Sequence, residues 1–234
     1  MPERVVVVTG SSGGIGSAIV DHFRTAGNIV VGLDLLDGVD VSRPDDCAAA
    51  VARILSEHDH IDVLCNNAGI GATGDVVASS PEEWQRVFGV NVFGVANMSR
   101  AVLPAMRGAG RGAIVNTCSV VASVGLVDRA VYSASKGAVL ALTRAMAADE
   151  ISSGIRVNCV SPGTVASPWV ERTVAVLPDP EAGFEALRRR QPLGRMVTCA
   201  EVAAAVAYLA DETTFTTGAD FLLDGGITGV RIIE

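Results

Sequence analysis

Tyr132 and Lys136 stand four residues apart in Tyr132-Ser133-Ala134-Ser135-Lys136, and Ser119 precedes the tyrosine by thirteen positions. Lys136 is the single lysine of the chain; every other basic side chain is an arginine. The two cations are not interchangeable, since a guanidinium is a wide planar fork and an ammonium a compact point charge with three donors. On a helix, positions i and i+4 share a face, which brings Tyr132 and Lys136 over one pocket. A phenol with an ordinary pKa of about 10 is a poor base at neutral pH, and a cation held beside it favours the phenolate. A serine hydroxyl to hold an oxygen, a tuned phenol and an ammonium together suit proton transfer to or from an alcohol or carbonyl oxygen.

Such residues must be positioned by rigid elements. Apolar, β-branched runs at 5–9, 29–34, 63–66, 112–118, 155–161 and 220–223 read as strands. They alternate with amphipathic or Ala-rich stretches at 15–25, 44–56, 82–109, 131–152 and 200–210, which read as helices. Strands apolar on both faces and separated by helices predict an α/β chain, a doubly wound parallel sheet covered on both sides. No repeat or linker divides the 234 residues, so one Rossmann-type domain is expected over 1–234. The least regular segment, 164–195, is rich in Pro and charge and is expected to form a mobile loop over the site.

Thr9-Gly10-Ser11-Ser12-Gly13-Gly14-Ile15-Gly16 follows the first strand and opens a helix. Glycines at 10, 14 and 16 let backbone approach a pyrophosphate, and the helix N-terminus offers unpaired N–H groups. Asp34, at the end of the second strand, is placed to accept from both ribose hydroxyls of an adenosine and to repel a 2′-phosphate. Leu35 and Leu36 follow it rather than arginine, which favours NAD over NADP.

The formal charge of −8 and a sequence pI near 4.9 argue against a nucleic-acid partner. No apolar run approaches the ~18 residues that span a bilayer. The N-terminal run Val5-Val6-Val7-Val8 is too short for a signal-peptide core and reads as a strand. Five cysteines, at 47, 65, 118, 159 and 199, show no metal-like spacing and fit reduced thiols of a cytoplasmic protein. His58-Asp59-His60 lacks further ligands and reads as a helix-end turn, so no metal is expected.

With these residues in hand, the chain resembles the short-chain dehydrogenase/reductase family over essentially its whole length. The matching pieces are Thr9 to Gly16, Asn66-Asn67-Ala68-Gly69, Asn91, Ser119, Tyr132-x-x-x-Lys136, Pro162-Gly163 and Asp224-Gly225-Gly226. The resemblance implies that Tyr132 is the general acid/base and Ser119 holds the substrate oxygen. Lys136 would bind the nicotinamide ribose and lower the pKa of Tyr132, and Asn91 would anchor a water in the proton relay. In the cofactor site, Gly10, Ser12, Gly14, Ile15 and Gly16 would hold the pyrophosphate. Asn66, Asn67, Ala68 and Gly69 would line the adenosine-ribose side, Asp40-Val41 would contact adenine, and Pro162, Gly163 and Val165 would present backbone to the carboxamide. Cys118, where a serine is common in the family, reads as a small buried filler rather than a catalytic thiol. The departure from the family pattern lies between Asp34 and Asp40. Only Leu35-Leu36-Asp37-Gly38-Val39 intervene, so a peripheral helix is expected to be missing and the adenine site more open.

Substrate identity rests on three arginines. Arg129 lies three residues before Tyr132, Arg172 lies in Pro168-Trp169-Val170-Glu171-Arg172, and Arg190 ends Arg188-Arg189-Arg190. Guanidinium groups grip carboxylates bidentately. The segment resembles a cytosolic subgroup that includes type-2-like 3-hydroxybutyrate dehydrogenases and dehydrogenases of deoxy sugar acids, which implies an anionic substrate. A small hydroxy acid or sugar acid oxidised with NAD is the leading expectation. A neutral alcohol, ketone or sugar is the alternative, and a non-catalytic dinucleotide-binding sensor a third. Trp169 is placed to pack on substrate or nicotinamide, whereas Trp84 reads as helix core. A homotetramer or homodimer is expected by resemblance, through helices 82–109 and 131–152 and the small residues Ala134, Ala138, Ala141 and Ala145; the tail from Arg231 to Glu234 is a segment that would alter such an assembly.

Overall fold

The computed structural model describes residues 3–231; the last three positions of the expected assembly-modifying tail lie outside the described residues. Strands β1 (Val5–Thr9), β2 (Ile29–Leu33), β3 (Val63–Asn66), β4 (Gly112–Thr117), β5 (Ile155–Pro162) and β8 (Asp220–Leu223) form one sheet in the order β2-β1-β3-β4-β5-β8. All of its pairings are parallel. The run Val5-Val6-Val7-Val8 shows why the strands are apolar throughout. Val5 and Val7 face α2 (Pro44–His58), α4 (Gly94–Ala109) and α5 (Ala130–Glu150), while Val6 and Val8 face α1 (Gly14–Thr25) and α8 (Cys199–Ala210). A strand sandwiched in this way leaves no alternate position for a polar side chain.

Between β2 and Asp40 there is only a 3₁₀ turn, Leu35–Asp37, so the peripheral helix is absent and β2 forms the sheet edge. The stretch expected as one helix over 82–109 is divided. It comprises α3 (Pro81–Phe88), a π-helical turn at Gly89–Phe93 and α4. A π turn inserts one residue into the helical ladder and turns a chosen side chain inward; here Asn91 is the residue it carries to the interior.

The segment 164–195 departs most from expectation. It holds a short strand β6 (Val165–Ala166), paired with β7 (Val197–Thr198), and two helices, α6 (Pro168–Ala175) and α7 (Pro180–Arg189). Each helix starts on a side-chain cap followed by proline: Ser167 accepts from Val170 N, and Asp179 accepts from Ala182 N. Proline at the first helical position is preorganised for a helix and lacks only a donor that would be unpaired there. The prolines that made this stretch look irregular are its helix starts.

Candidate active site

Every sequence-predicted catalytic residue lies on the edge formed by the C-terminal ends of the strands, the edge where doubly wound sheets place their ligands. After β1, Gly10 adopts φ +63°, and a Cβ there would fall 2.8 Å from Ala68 Cα. A Cβ on Gly16 would fall 2.0 Å from the Gly10 carbonyl oxygen, so this turn closes only around glycine. Unlike α3, α6, α7 and α8, helix α1 starts without a side-chain cap, and it has no acidic residue in its first turn. Its N-terminal N–H groups and dipole end are thus left for an anion, a cradle that fits a dinucleotide pyrophosphate. Asp34 joins loop to strand end, accepting from Ser12 N at 3.1 Å and from Leu36 N at 3.1 Å.

The loop after β3 is fastened to the glycine turn by two side chains. Thr9 Oγ1 accepts from the N–H groups of Asn67 and Ala68, each at 3.0 Å, and Asn67 Nδ2 donates to the carbonyls of Thr9 and Gly10, each at 3.1 Å. Asn66 is not a surface-lining residue. It is buried, donating to Ser99 Oγ at 3.1 Å and to Asn116 Oδ1 at 2.9 Å, because strand alternation turns it under the edge. Asn116 in turn donates to Thr143 Oγ1 at 2.9 Å, a polar ladder beneath the site that no sequence motif announced.

Asp40 and Val41, the pair expected to contact adenine, follow the 3₁₀ turn. The Asp40 carboxylate is turned to Ser42, accepting from its N–H at 2.9 Å and its hydroxyl at 2.7 Å. Val41 is packed in the core against Gly94, with its carbonyl held by Asn97 Nδ2 at 2.9 Å.

Ser119 follows β4 and starts a 3₁₀ turn, and α5 carries Tyr132 and Lys136. The Lys136 ammonium is buried, donates to the Thr117 carbonyl at 2.7 Å and lies 5.8 Å from the centroid of the Tyr132 ring. Burial pushes the Tyr132 phenol above its ordinary value, opposed by the Ser119 hydroxyl and the charge of Arg129. The ammonium sits by the ring and is anchored on Thr117. Burial lowers the pKa of Lys136, in keeping with a cation held in a low-dielectric place.

Asn91 is fully buried and its amide is engaged at both ends. Its Oδ1 accepts from Ile70 N at 2.8 Å, and Nδ2 donates to Ile70 O and Ser135 Oγ, each at 3.0 Å. The side chain is a clamp between the π turn, α5 and the 67–70 loop. Gly69 lies inside that clamp, where a Cβ would be 3.3 Å from Asn91 Oδ1 and 3.5 Å from Lys136 Nζ. Cys118 is buried and donates to the Lys136 carbonyl at 3.2 Å. Its hydrogen bond with Cys159 draws the Cys118 thiol down and raises that of Cys159. It sits beneath the site.

On the carboxamide side, Gly163 N donates to Leu223 O at 3.0 Å, and Val165 pairs with Val197. Of the three arginines, Arg129 and Arg190 feel each other's charge. Arg129 donates through Nη1 to Ala72 O, Thr73 Oγ1 and Asp128 O at 3.3, 2.6 and 3.2 Å. Arg190, exposed just past the end of α7, is lowered by partial burial and by the charge of Arg129. Neither is paired with a carboxylate among the described residues. Arg172 does not join them. Val170 and Val174 bury the inner face of α6, and Arg172, midway between them in sequence, is exposed on the opposite side. Trp169 rests its ring edge on Gly71, whose Cβ position is 3.2 Å from Cζ2.

A crevice of about 300 Å³ at the opposite ends of the strands is a separate feature. Its Arg4 and Arg156 cap the end of α8 through the carbonyls of Ala210, Leu209 and Asp211, and its Arg111 pairs with Asp62. His60 also lies on Asp62, and α2 ends at His58 with left-handed Asp59, the turn expected there.

Known proteins share this fold. The family model described as enoyl-(acyl carrier protein) reductase matches residues 36–228. The chain is a member of the short-chain dehydrogenase/reductase family. It is 38% identical to "Dehydrogenase/reductase SDR family member 6" of Danio rerio over 240 residues, covering 95% of this chain and 96% of that protein. It is 39% identical to L-fucose dehydrogenase of Mus musculus over 240 residues, covering 95% of this chain and 88% of that one. Aldohexose dehydrogenase of Thermoplasma acidophilum superposes with a TM-score of 0.93 at 35% identity, over 99% of this chain and 96% of the other. Among similar solved structures one holds NADPH and another NADH. The short-chain dehydrogenase is therefore an oxidoreductase of CH–OH groups that uses a nicotinamide dinucleotide. Among the described residues no helix is long and apolar enough to cross a membrane.

Proposed function

We propose that this short-chain dehydrogenase oxidises a small hydroxy acid or sugar acid with NAD. The observation that carries the reading is that the charge of Arg129 acts on both Tyr132 and Arg190, while neither guanidinium is paired with a carboxylate among the described residues. Two like charges repel, and an anion between them relieves that repulsion. Preference for NAD rests on Asp34, whose carboxylate, fixed by Ser12 N and Leu36 N at the end of the second strand, would repel a 2′-phosphate.

The residues divide the chemistry. When bound, the nicotinamide accepts the hydride from the carbinol carbon. Tyr132 Oη takes the hydroxyl proton in oxidation and returns it in reduction, while Ser119 Oγ holds the same oxygen. Lys136, anchored on Thr117 O, holds the nicotinamide ribose and stabilises the phenolate. Asn91 acts through the clamp on Ile70, keeping the 67–70 loop against Lys136. Gly10, Gly14 and Gly16 let the α1 N-terminus meet the pyrophosphate, and Pro162, Gly163 and Val165 offer backbone to the carboxamide.

The test is NAD-linked oxidation across a panel that pairs each hydroxy acid with its neutral ester. Preference for the free acid, lost in Arg190→Ala, is the expected result; equal rates within each pair would remove the anion reading. A neutral sugar is the second reading, favoured by likeness to proteins named L-fucose and aldohexose dehydrogenase; L-fucose and hexoses belong in the same panel. Tyr132→Phe should retain dinucleotide binding and lose roughly 10²- to 10⁴-fold in turnover. Turnover unaffected by that change would overturn the role of the phenol.

A further inference from the structure

Gln191 follows Arg190 directly and is almost wholly buried, at 2% exposure. Its Oε1 accepts from Thr164 N at 2.9 Å, and its Nε2 donates to Leu187 O at 2.8 Å and Arg195 O at 3.4 Å. These partners come from the turn after β5 and from both sides of the end of α7. The turn after β8 meets the same point: Leu193 N donates to Gly225 O at 3.0 Å, and a Cβ on Gly225 would lie 3.0 Å from Gln191 Cβ. A Cβ on Gly163 would lie 3.1 Å from Gln191 Oε1. Two glycines thus clear the space around one amide, and the amide ties the helix carrying Arg190 to the Pro162–Thr164 turn.

A primary amide is the group this junction requires. It accepts from one N–H and donates to two carbonyls at once, whereas an ionised carboxylate is acceptor only and would face those two carbonyls with charge. A leucine would leave the buried Thr164 N–H without its partner.

We propose that Gln191 is a positioning residue that couples cofactor binding to binding of the anionic substrate. The inference rests on the hydroxy-acid reading above and on the Pro162–Thr164 turn as the carboxamide side. Through Gln191, ordering that turn around the dinucleotide also sets Arg190 at the distance a carboxylate requires. Each ligand then tightens the other by the same factor, as linkage demands.

The experiment is titration calorimetry of acetoacetate, a keto acid that cannot react with NAD, with and without saturating NAD, and of methyl acetoacetate as the neutral control. The wild type should bind the acid more tightly than the ester, and about tenfold more tightly with NAD than without it. Gln191→Leu, checked for folding by its melting curve, should bring that factor below about threefold, while Arg190→Ala should weaken the acid in both conditions. Gln191→Glu gives a readout that loss of packing alone would not move. Its coupling should be absent at neutral pH and return in part as acid protonates the buried carboxyl, which then accepts from Thr164 N and donates to the nearer carbonyl, that of Leu187. A folded Gln191→Leu with the wild-type factor, or Gln191→Glu without recovery at low pH, overturns the inference while the acid preference stands. An absence of coupling in a wild type that still prefers the acid also overturns it. Equal binding of acid and ester by the wild type instead removes the hydroxy-acid reading on which the inference depends.

Discussion

At Tyr132 two influences oppose each other: burial raises the phenol, and Ser119 and the Arg129 guanidinium pull it down. Removing the cation leaves burial less opposed, so Arg129→Ala should move the pH profile of kcat/KM for oxidation to higher pH. A neutral alcohol is the right probe, because substrate anchoring by the arginine is then not altered. An unchanged profile would mean that Arg129 does not reach the phenol. Lys136 illustrates how far residue types can be read in advance. Its being the only lysine, four residues after Tyr132, placed it on the right face, yet its bond to Thr117 O and its distance from the phenol oxygen depend on where β4 ends. Arg129 stood out in sequence by its place three residues before Tyr132, whereas Arg172 and Arg190 looked equivalent. The burial of Val170 and Val174 turns Arg172 outward, and the charge of Arg129 reaches Arg190.

Among the elements, strands and helices of the sheet layers were legible because their apolar patterns are set by two-sided burial. Such patterns leave end positions uncertain by a residue or two, as at 29–34, where the strand stops at Leu33. The π turn was not legible, since a one-residue insertion into a helix leaves the surrounding periodicity nearly intact. Helices α6 and α7 were legible in principle from Ser167-Pro168 and Asp179-Pro180, but their brevity left little periodicity to weigh. At the far ends of α4 and α5, Arg107 Nε donates to Glu150 Oε2 at 2.9 Å, with the carboxylate buried. The Arg107 hydrogen bond holds the Glu150 carboxyl below its ordinary value. A depressed carboxyl contributes stability above the unfolded pKa, near 4.3, and loses it as pH falls through the lower folded value. Glu150→Gln should therefore cost about 1–2 kcal/mol at pH 7, roughly 2–8 °C in Tm. The gap to wild type should close in strongly acid buffer; a gap constant with pH would show that the ion pair is not its source.

For the whole molecule, the sheet order places the crossover between β1 and β3, and the site residues gather along that one edge. The stripe expected at the subunit contact faces outward: Ala134, Ala141 and Ala145 are exposed and Ala138 half-buried. If these small residues let α5 meet a second copy closely, light scattering should give a mass that is a multiple of 24.0 kDa, and Ala141→Arg should reduce it. A wild type at the single-chain mass would remove the expected homotetramer or homodimer. The shortened rim after Asp34 has a practical consequence at the same scale. Where a helix would stand against the adenine end, this chain has one 3₁₀ turn, with Leu35 and Leu36 at 71% and 84% exposure. A dinucleotide fastened to a bead or soluble polymer through its adenine amino group should then serve as coenzyme nearly as well as the free form, the tether leaving over the low rim; a steep loss of turnover on tethering would show that the rim is closed by something other than a helix.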